Sequence, residues 1–136
     1  MVDQSDQDRR RFERLERGDR IQIKEYSYPE RGQYQQARII DISGGGLLIE
    51  TRQHFPEGAM LKVEMNFTGW QQYTRSFLKY FGSAASRPLV VLADVVRCTK
   101  VVAGRKYEVA LTFAGIDESH REALIQFIRK EILTRK

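Results

Sequence analysis

The 136-residue sequence predicts an all-β-dominated domain: about six short strands closed into an antiparallel barrel, one C-terminal helix, and an insertion that reads as a helix or a long hairpin extension. Three observations carry that expectation. Apolar and polar residues alternate in short runs from Ile21 onward, glycine or Pro-Glu-Gly turns separate the runs, and the apolar spacing changes to four only near the C-terminal end. With 41% hydrophobic residues and this length, the chain can bury one core and fits one domain.

The first twenty residues hold six arginines (Arg9, Arg10, Arg11, Arg14, Arg17, Arg20) and six acidic groups, with too few apolar side chains to build a core. They predict a flexible arginine-rich arm over residues 1–18 that leads into a barrel over residues 19–136. Ile21 and Ile23 open the alternation that a sheet with one buried face requires. Residues 37–42 are rich in isoleucine. Gly44, Gly45 and Gly46 then permit a tight reversal before Leu47, Leu48 and Ile49 resume an extended run, which together make a hairpin.

Pro56-Glu57-Gly58 marks the next turn, and Leu61, Val63, Met65 and Phe67 then alternate with Lys62, Glu64 and Asn66. Residues 89–96 are apolar enough to be buried on both sides. Gly104 sits in the turn before residues 107–113, where Tyr107, Val109, Leu111 and Phe113 share one face. Between these strands lies the insertion 68–86, with Trp70, Tyr73, Phe77, Tyr80 and Phe81 at near-helical spacing and Arg75 and Lys79 among them. At the end, Leu124, Ile128 and Ile132 recur every four residues beside Ile125 and Leu133, the stripe of an amphipathic helix over 119–134. Ser119 with Glu122 reads as its capping box, and such a helix can cover the barrel's open edge or mouth.

Several function classes are disfavoured by composition. No apolar run approaches the roughly 18 residues that span a bilayer, and a charged N-terminus replaces a signal region, so a cytoplasmic location is expected. The single cysteine, Cys98, rules out an intrachain disulfide, and with only His54 and His120 beside it no metal-ligand spacing appears. Ser43 has no base assigned to it by any motif, so no catalytic residues are expected. The net charge of +5 favours an anionic partner, yet 18 acidic residues mixed among 23 basic ones argue against a nucleic-acid coat.

Two features carry binding chemistry. In Arg9-Arg10-Arg11-Phe12-Glu13-Arg14, adjacent guanidiniums repel unless an anion or a carboxylate stands between them, and taken alone the run reads as a solvated surface. In Asp41-Ile42-Ser43-Gly44-Gly45-Gly46, period-two alternation puts Asp41 and Ser43 on one side of the strand, and the glycines let backbone N–H groups approach a ligand. Taken alone, that turn reads as an ordinary Asx-type reversal.

Together, Arg10-x-x-x-Arg14 followed by Asp41-x-Ser43-x-x-Gly46 resembles the PilZ family. Ala37-Arg38-Ile39-Ile40-Asp41-Ile42-Ser43 with Gly46-Leu47-Leu48-Ile49 looks like its signature hairpin, and Tyr107-Glu108-Val109-Ala110-Leu111-Thr112-Phe113 like its last core strand. The likeness covers residues 9–135 apart from 68–86. It implies a six-stranded β-barrel that binds cyclic di-GMP where the arm crosses the barrel surface, with the arm's ordering read by a downstream protein partner.

The implied ligand residues are Arg9, Arg10, Arg14, Asp41, Ser43 and Gly46. Guanidiniums pair with phosphate or guanine O6/N7 and stack on purines, a carboxylate accepts guanine N1 and N2 protons, and a glycine keeps the turn clear of bulk. Arg97, on the strand after the insertion, is a second candidate to reach the same ligand, but a strand arginine reads first as solvated, and it stays outside this set. Two other readings stand beside this one. The first is a PilZ-like protein-interaction module that binds no nucleotide. The second is a nucleic-acid-binding barrel whose aromatics Trp70, Tyr73, Phe77 and Tyr80 stack bases, a reading that leaves the Asp41 turn unexplained.

Overall fold

The alternating runs become strands of one antiparallel sheet in the computed structural model, which describes residues 12–27, 32–67, 88–102 and 104–135. The strands are β1 (Leu15–Glu16), β2 (Arg20–Glu25), β3 (Gln35–Ile42), β4 (Gly46–Thr51), β5 (Met60–Met65), β6 (Leu89–Val102) and β7 (Lys106–Gly115), followed by helix α1 (Glu118–Thr134). The order β3-β2-β5-β6-β7-β4 closes on itself because β4 also pairs with β3, giving the expected six-stranded barrel. The two-residue β1 lies beyond the end of β2 along the same strand, with Leu15 opposite Ile42 and Arg20 opposite Arg38. Backbone bonds from Arg17 N to Ile40 O (3.0 Å) and from Ile39 N to Asp19 O (2.9 Å) bridge the break, so β1 and β2 act as one interrupted first strand.

Closure leaves the barrel one inside face. Ile23, Ile39, Ile49, Leu61, Val63, Met65, Val109 and Leu111 fill it and are all fully buried. The same geometry corrects the reading of residues 89–96: β6 alternates instead of burying both sides, with Val91, Ala93 and Val95 inside and Val90 45% exposed. β6 also runs on to Val102, with three irregularities along its pairing with β7.

Ala123, Leu124, Phe127 and Ile128 are the buried residues of α1, and Phe127 stacks on Phe67 with ring centroids 5.5 Å apart. Leu133, read from the sequence as part of the stripe, is 69% exposed. The helix also starts earlier than the capping box suggests. Asp117 is the N-cap and accepts the Ser119 N–H at 2.8 Å as well as the Ser119 hydroxyl, so Ser119 donates to the cap instead of being one.

The Ser119 hydroxyl, and then its N–H, hold the Asp117 carboxyl below its ordinary pKa. A depressed folded-state pKa stabilises the helix above the unfolded carboxylate's pKa, about 3.9, and that contribution fades as pH falls through the folded value. Asp117→Ala is therefore expected to lower the thermal midpoint at pH 7, with the gap to the wild type closing in stronger acid; thermal melts across pH test this.

The expected arm spans 1–18, but residues 12–18 are seated on the barrel, because Leu15 is buried in the core and Arg17 is held from several sides. Residues 1–11 and the whole insertion 68–86 lie outside the described residues.

Arg17 reaches both oxygens of Asp19 (2.6 and 2.9 Å) and Glu131 (3.2 Å), and its guanidinium carbon stands 5.5 Å from the ring centroids of both Phe67 and Phe127. The sequence groups it with the arm's other arginines; the fold uses it to fasten the first strand to the helix. Arg17→Ala is expected to cost about 1–2 kcal/mol in urea unfolding, since a bidentate, part-buried pair and two ring contacts are lost together.

Candidate functional site

The two motifs singled out in the sequence meet through the pairing of β1 with β3. Leu15 lies opposite Ile42 and Glu16 opposite Asp41, so Arg14, just before Leu15, and Ser43, just after Ile42, lead away from the same end of the pair. Arg14 is exposed. Arg9 and Arg10 lie outside the described residues.

Asp41 is half-buried and belongs to a row of residues paired directly across four strands. Asp41 faces Leu48, Leu48 faces Ala110, and Ala110 faces Arg97. Directly opposed residues of antiparallel strands share a face. Their neighbours Ile42, Leu47 and Leu111 point into the core, so this row lies on the outer surface. Three strand spacings separate Asp41 from Arg97, about 14 Å. A carboxylate at one end and an exposed guanidinium at the other flank a platform of half-buried Leu48 and buried Ala110, which is 1% exposed.

Two irregularities build this row. The pairing shifts between Ile39 and Asp41 on β3, and between Val95 and Arg97 on β6. Strict alternation would put Arg97 on the side of Val95, inside the barrel; the extra residue turns it outward beside Ala110. Period-two reading therefore could not find Arg97, Leu48 and Ala110 as one surface.

The glycine turn differs from its sequence reading. None of Gly44, Gly45 and Gly46 has a positive φ, so the turn does not need glycine for a left-handed backbone. It needs glycine for close approach. A Cβ on Gly46 would stand 2.0 Å from the Leu111 carbonyl oxygen, and one on Gly44 would stand 2.7 Å from Ile125 Cγ1 and 3.0 Å from Phe12 Cδ1.

The turn's polar groups are also engaged within the fold. Gly45 N–H donates to the Ser43 hydroxyl at 3.2 Å, Phe113 N–H donates to Gly45 O, and Arg121 donates to Gly44 O at 3.1 Å. Ser43 is 3% exposed. The expectation that these glycines offer free N–H groups to a ligand is thus corrected for Gly45, whose N–H the Ser43 side chain takes, and all three glycines are buried.

Helix α1 belongs to the site's surroundings, which the sequence did not signal. Arg121 bridges from the helix to Gly44 O and stands 5.9 Å from the Phe12 ring centroid, and Ile125 covers Gly44. Residues 13–17, on both sides of Arg14, are tied to the same helix by Glu13 with Arg129 (3.1 Å), by Arg17 with Glu131, and by Arg135 donating to Glu16 O (2.8 Å). Among the described residues no group of three or more His, Cys, Asp or Glu could hold a metal ion, and no helix is long and apolar enough to cross a membrane.

Comparison with known proteins bears on the family and the fold. The family model of the PilZ domain matches residues 8–130. None of the curated proteins matches the sequence. Among solved structures, the fold is similar to the Bacillus subtilis inhibitor of motility MotI/DgrA, with a TM-score of 0.70 and 18% identity over 94% of this chain and 53% of that one. It is also similar to the K. pneumonia MrkH–c-di-GMP complex (TM-score 0.64, 14% identity, 93% of this chain and 54% of that one). A third likeness is the PilZ domain of Escherichia coli YcgR with c-di-GMP (TM-score 0.58, 14% identity, 93% of this chain and 96% of that one). The chain spans about half the length of the first two.

Proposed function

Since this chain belongs to the PilZ domain family, we propose that it is a receptor for cyclic di-GMP whose site is formed by Arg9, Arg10, Arg14, Asp41, Ser43 and Gly46. The observation that carries the reading is the β1–β3 pairing, which brings the end of the arginine motif to the aspartate-serine-glycine turn. The c-di-GMP held by two of the similar solved structures supports the choice of ligand.

The roles follow from chemistry. Arg14, exposed at the mouth of the pair, and Arg9 and Arg10, by their place in the motif, supply guanidiniums for the two phosphates and for guanine O6/N7. Asp41 accepts the N1 and N2 protons of one guanine, whose ring lies against the half-buried Leu48, with Arg97 farther along the same row. Ser43 shapes the turn through its lone pair and keeps a hydroxyl proton to donate. Gly46 lets β4 approach β7 closely enough to hold the platform level.

The module binds and signals without making or breaking a bond. Neutralising three guanidiniums changes the surface beside α1, to which residues 13–17 are tied, and a downstream protein partner reads that change. The test is a calorimetric titration with cyclic di-GMP and, separately, cyclic di-AMP. Saturable binding of the first and none of the second is expected, because adenine lacks the O6 acceptor and the N1 and N2 donors that Asp41 and the arginines recognise. Equal binding of both would contradict the assigned roles.

A further inference from the structure

At the end of the β3–β4 face opposite the glycine turn lies a second, strongly cationic concavity of about 750 Å³. Arg20, Arg38, Arg52, Arg105 and Lys106 line it, with Glu50 as the carboxylate among them. Lys106 pairs with Glu50 at 3.3 Å. No ion pair reaches Arg20, Arg38, Arg52 or Arg105 among the described residues.

Two of these arginines, Arg20 and Arg38, lie directly opposite each other on β2 and β3. Like charges in that position repel; Glu50 lies directly opposite Arg38 on β4 but is shared with Lys106, so one carboxylate stands against five cationic side chains of the described lining and the excess is best satisfied by an anion from outside. Guanidiniums spread over a concave sheet surface suit several separate carboxylates better than one small anion.

We infer that this concavity receives an acidic segment of a protein partner. Among the described residues no aromatic side chain lines it, and none there offers the stacking platform that single-stranded nucleic acid uses. Its concave shape, with guanidiniums on separate strands, suits a strand of discrete acidic side chains instead of a flat lipid surface. The surface is separate from the six residues of the nucleotide proposal and stands without it.

The test uses the full chain and a fluorescein-labelled decapeptide of alternating glutamate and serine, followed by anisotropy at low and high salt. Binding at low salt is expected to weaken steeply with added salt and to fall about ten-fold or more in the Arg52→Glu/Arg105→Glu variant. Arg20→Glu/Arg38→Glu serves as an independent second variant, and circular dichroism confirms that each folds. Cyclic di-GMP affinity is expected to stay unchanged in Arg52→Glu/Arg105→Glu.

Four results would overturn the inference: no peptide binding at low salt; binding indifferent to both variants; tighter binding of a single-stranded oligonucleotide or of anionic phosphatidylserine vesicles; or a ten-fold loss of nucleotide affinity in Arg52→Glu/Arg105→Glu, which would make the concavity part of the nucleotide site. A chain that binds the peptide and no nucleotide would leave this inference intact and remove the reading under Proposed function.

Discussion

Gly46→Ala is expected to destabilise the domain by about 3 kcal/mol or more, measured as a lowered urea midpoint with an unchanged slope. The added Cβ would stand 2.0 Å from the carbonyl oxygen of Leu111, a backbone atom of a paired strand that cannot swing aside as a side-chain end can. Relief requires β4 to move off β7, and that pair runs unbroken from Gly46 opposite Thr112 to Thr51 opposite Tyr107. A domain of this size has a total stability of roughly 5–15 kcal/mol, so the loss is a large fraction of it.

Gly18→Ala is the control. It has open space around it and no positive φ, and its substitution is expected to change stability by less than about 1 kcal/mol. Gly44→Ala falls between the two. Its Cβ would press on Ile125 and Phe12, so the helix and the segment before β1 yield while the strands hold.

Arg14→Lys is expected to lose nucleotide affinity nearly as fully as Arg14→Ala, by about 100-fold, or roughly 2.7 kcal/mol. A lysine keeps the charge and loses the planar fork that binds a phosphate or a guanine edge through two parallel hydrogen bonds. Its ammonium also cannot stack on a purine. Because Arg14 is exposed, neither substitution is expected to shift the urea midpoint by more than about 0.5 kcal/mol, which separates a binding defect from a folding defect. Wild-type affinity in the lysine variant would mean that Arg14 acts only as a point charge.

The strands were readable because one face of each is buried. Leu61, Val63 and Met65 alternate with Lys62 and Glu64, and the barrel buries the first set and leaves the second half-exposed. β1 was hidden because two residues, Leu15 and Glu16, cannot display a period inside a charge run; its existence depends on β3 lying alongside. The helix start was misplaced because Ser119 with Glu122 and Asp117 with Ser119 are competing local signals, and the backbone chose Asp117.

For the candidate site, the resemblance singled out Arg14 and Asp41, and the fold brings their motifs together through the β1–β3 pairing. The platform between Asp41 and Arg97 was not legible, because it depends on a pairing shift in β3 and another in β6, and register across strands is a tertiary property. The same limit hid Arg121 and Ile125 over the glycine turn and the pairing of Arg17 with Asp19 and Glu131. In each case the residue type was visible and its neighbour across the fold was not.

The central claim is that the arginine motif and the aspartate turn form one nucleotide site. Its most direct test is calorimetric titration of cyclic di-GMP into the wild type, Arg14→Ala and Asp41→Ala side by side. The account expects saturable binding by the wild type and a loss of about 30-fold or more in each variant, with all three chains equally folded. Wild-type affinity in either folded variant, or no heat and no thermal stabilisation of the wild type at high ligand concentration, would contradict it.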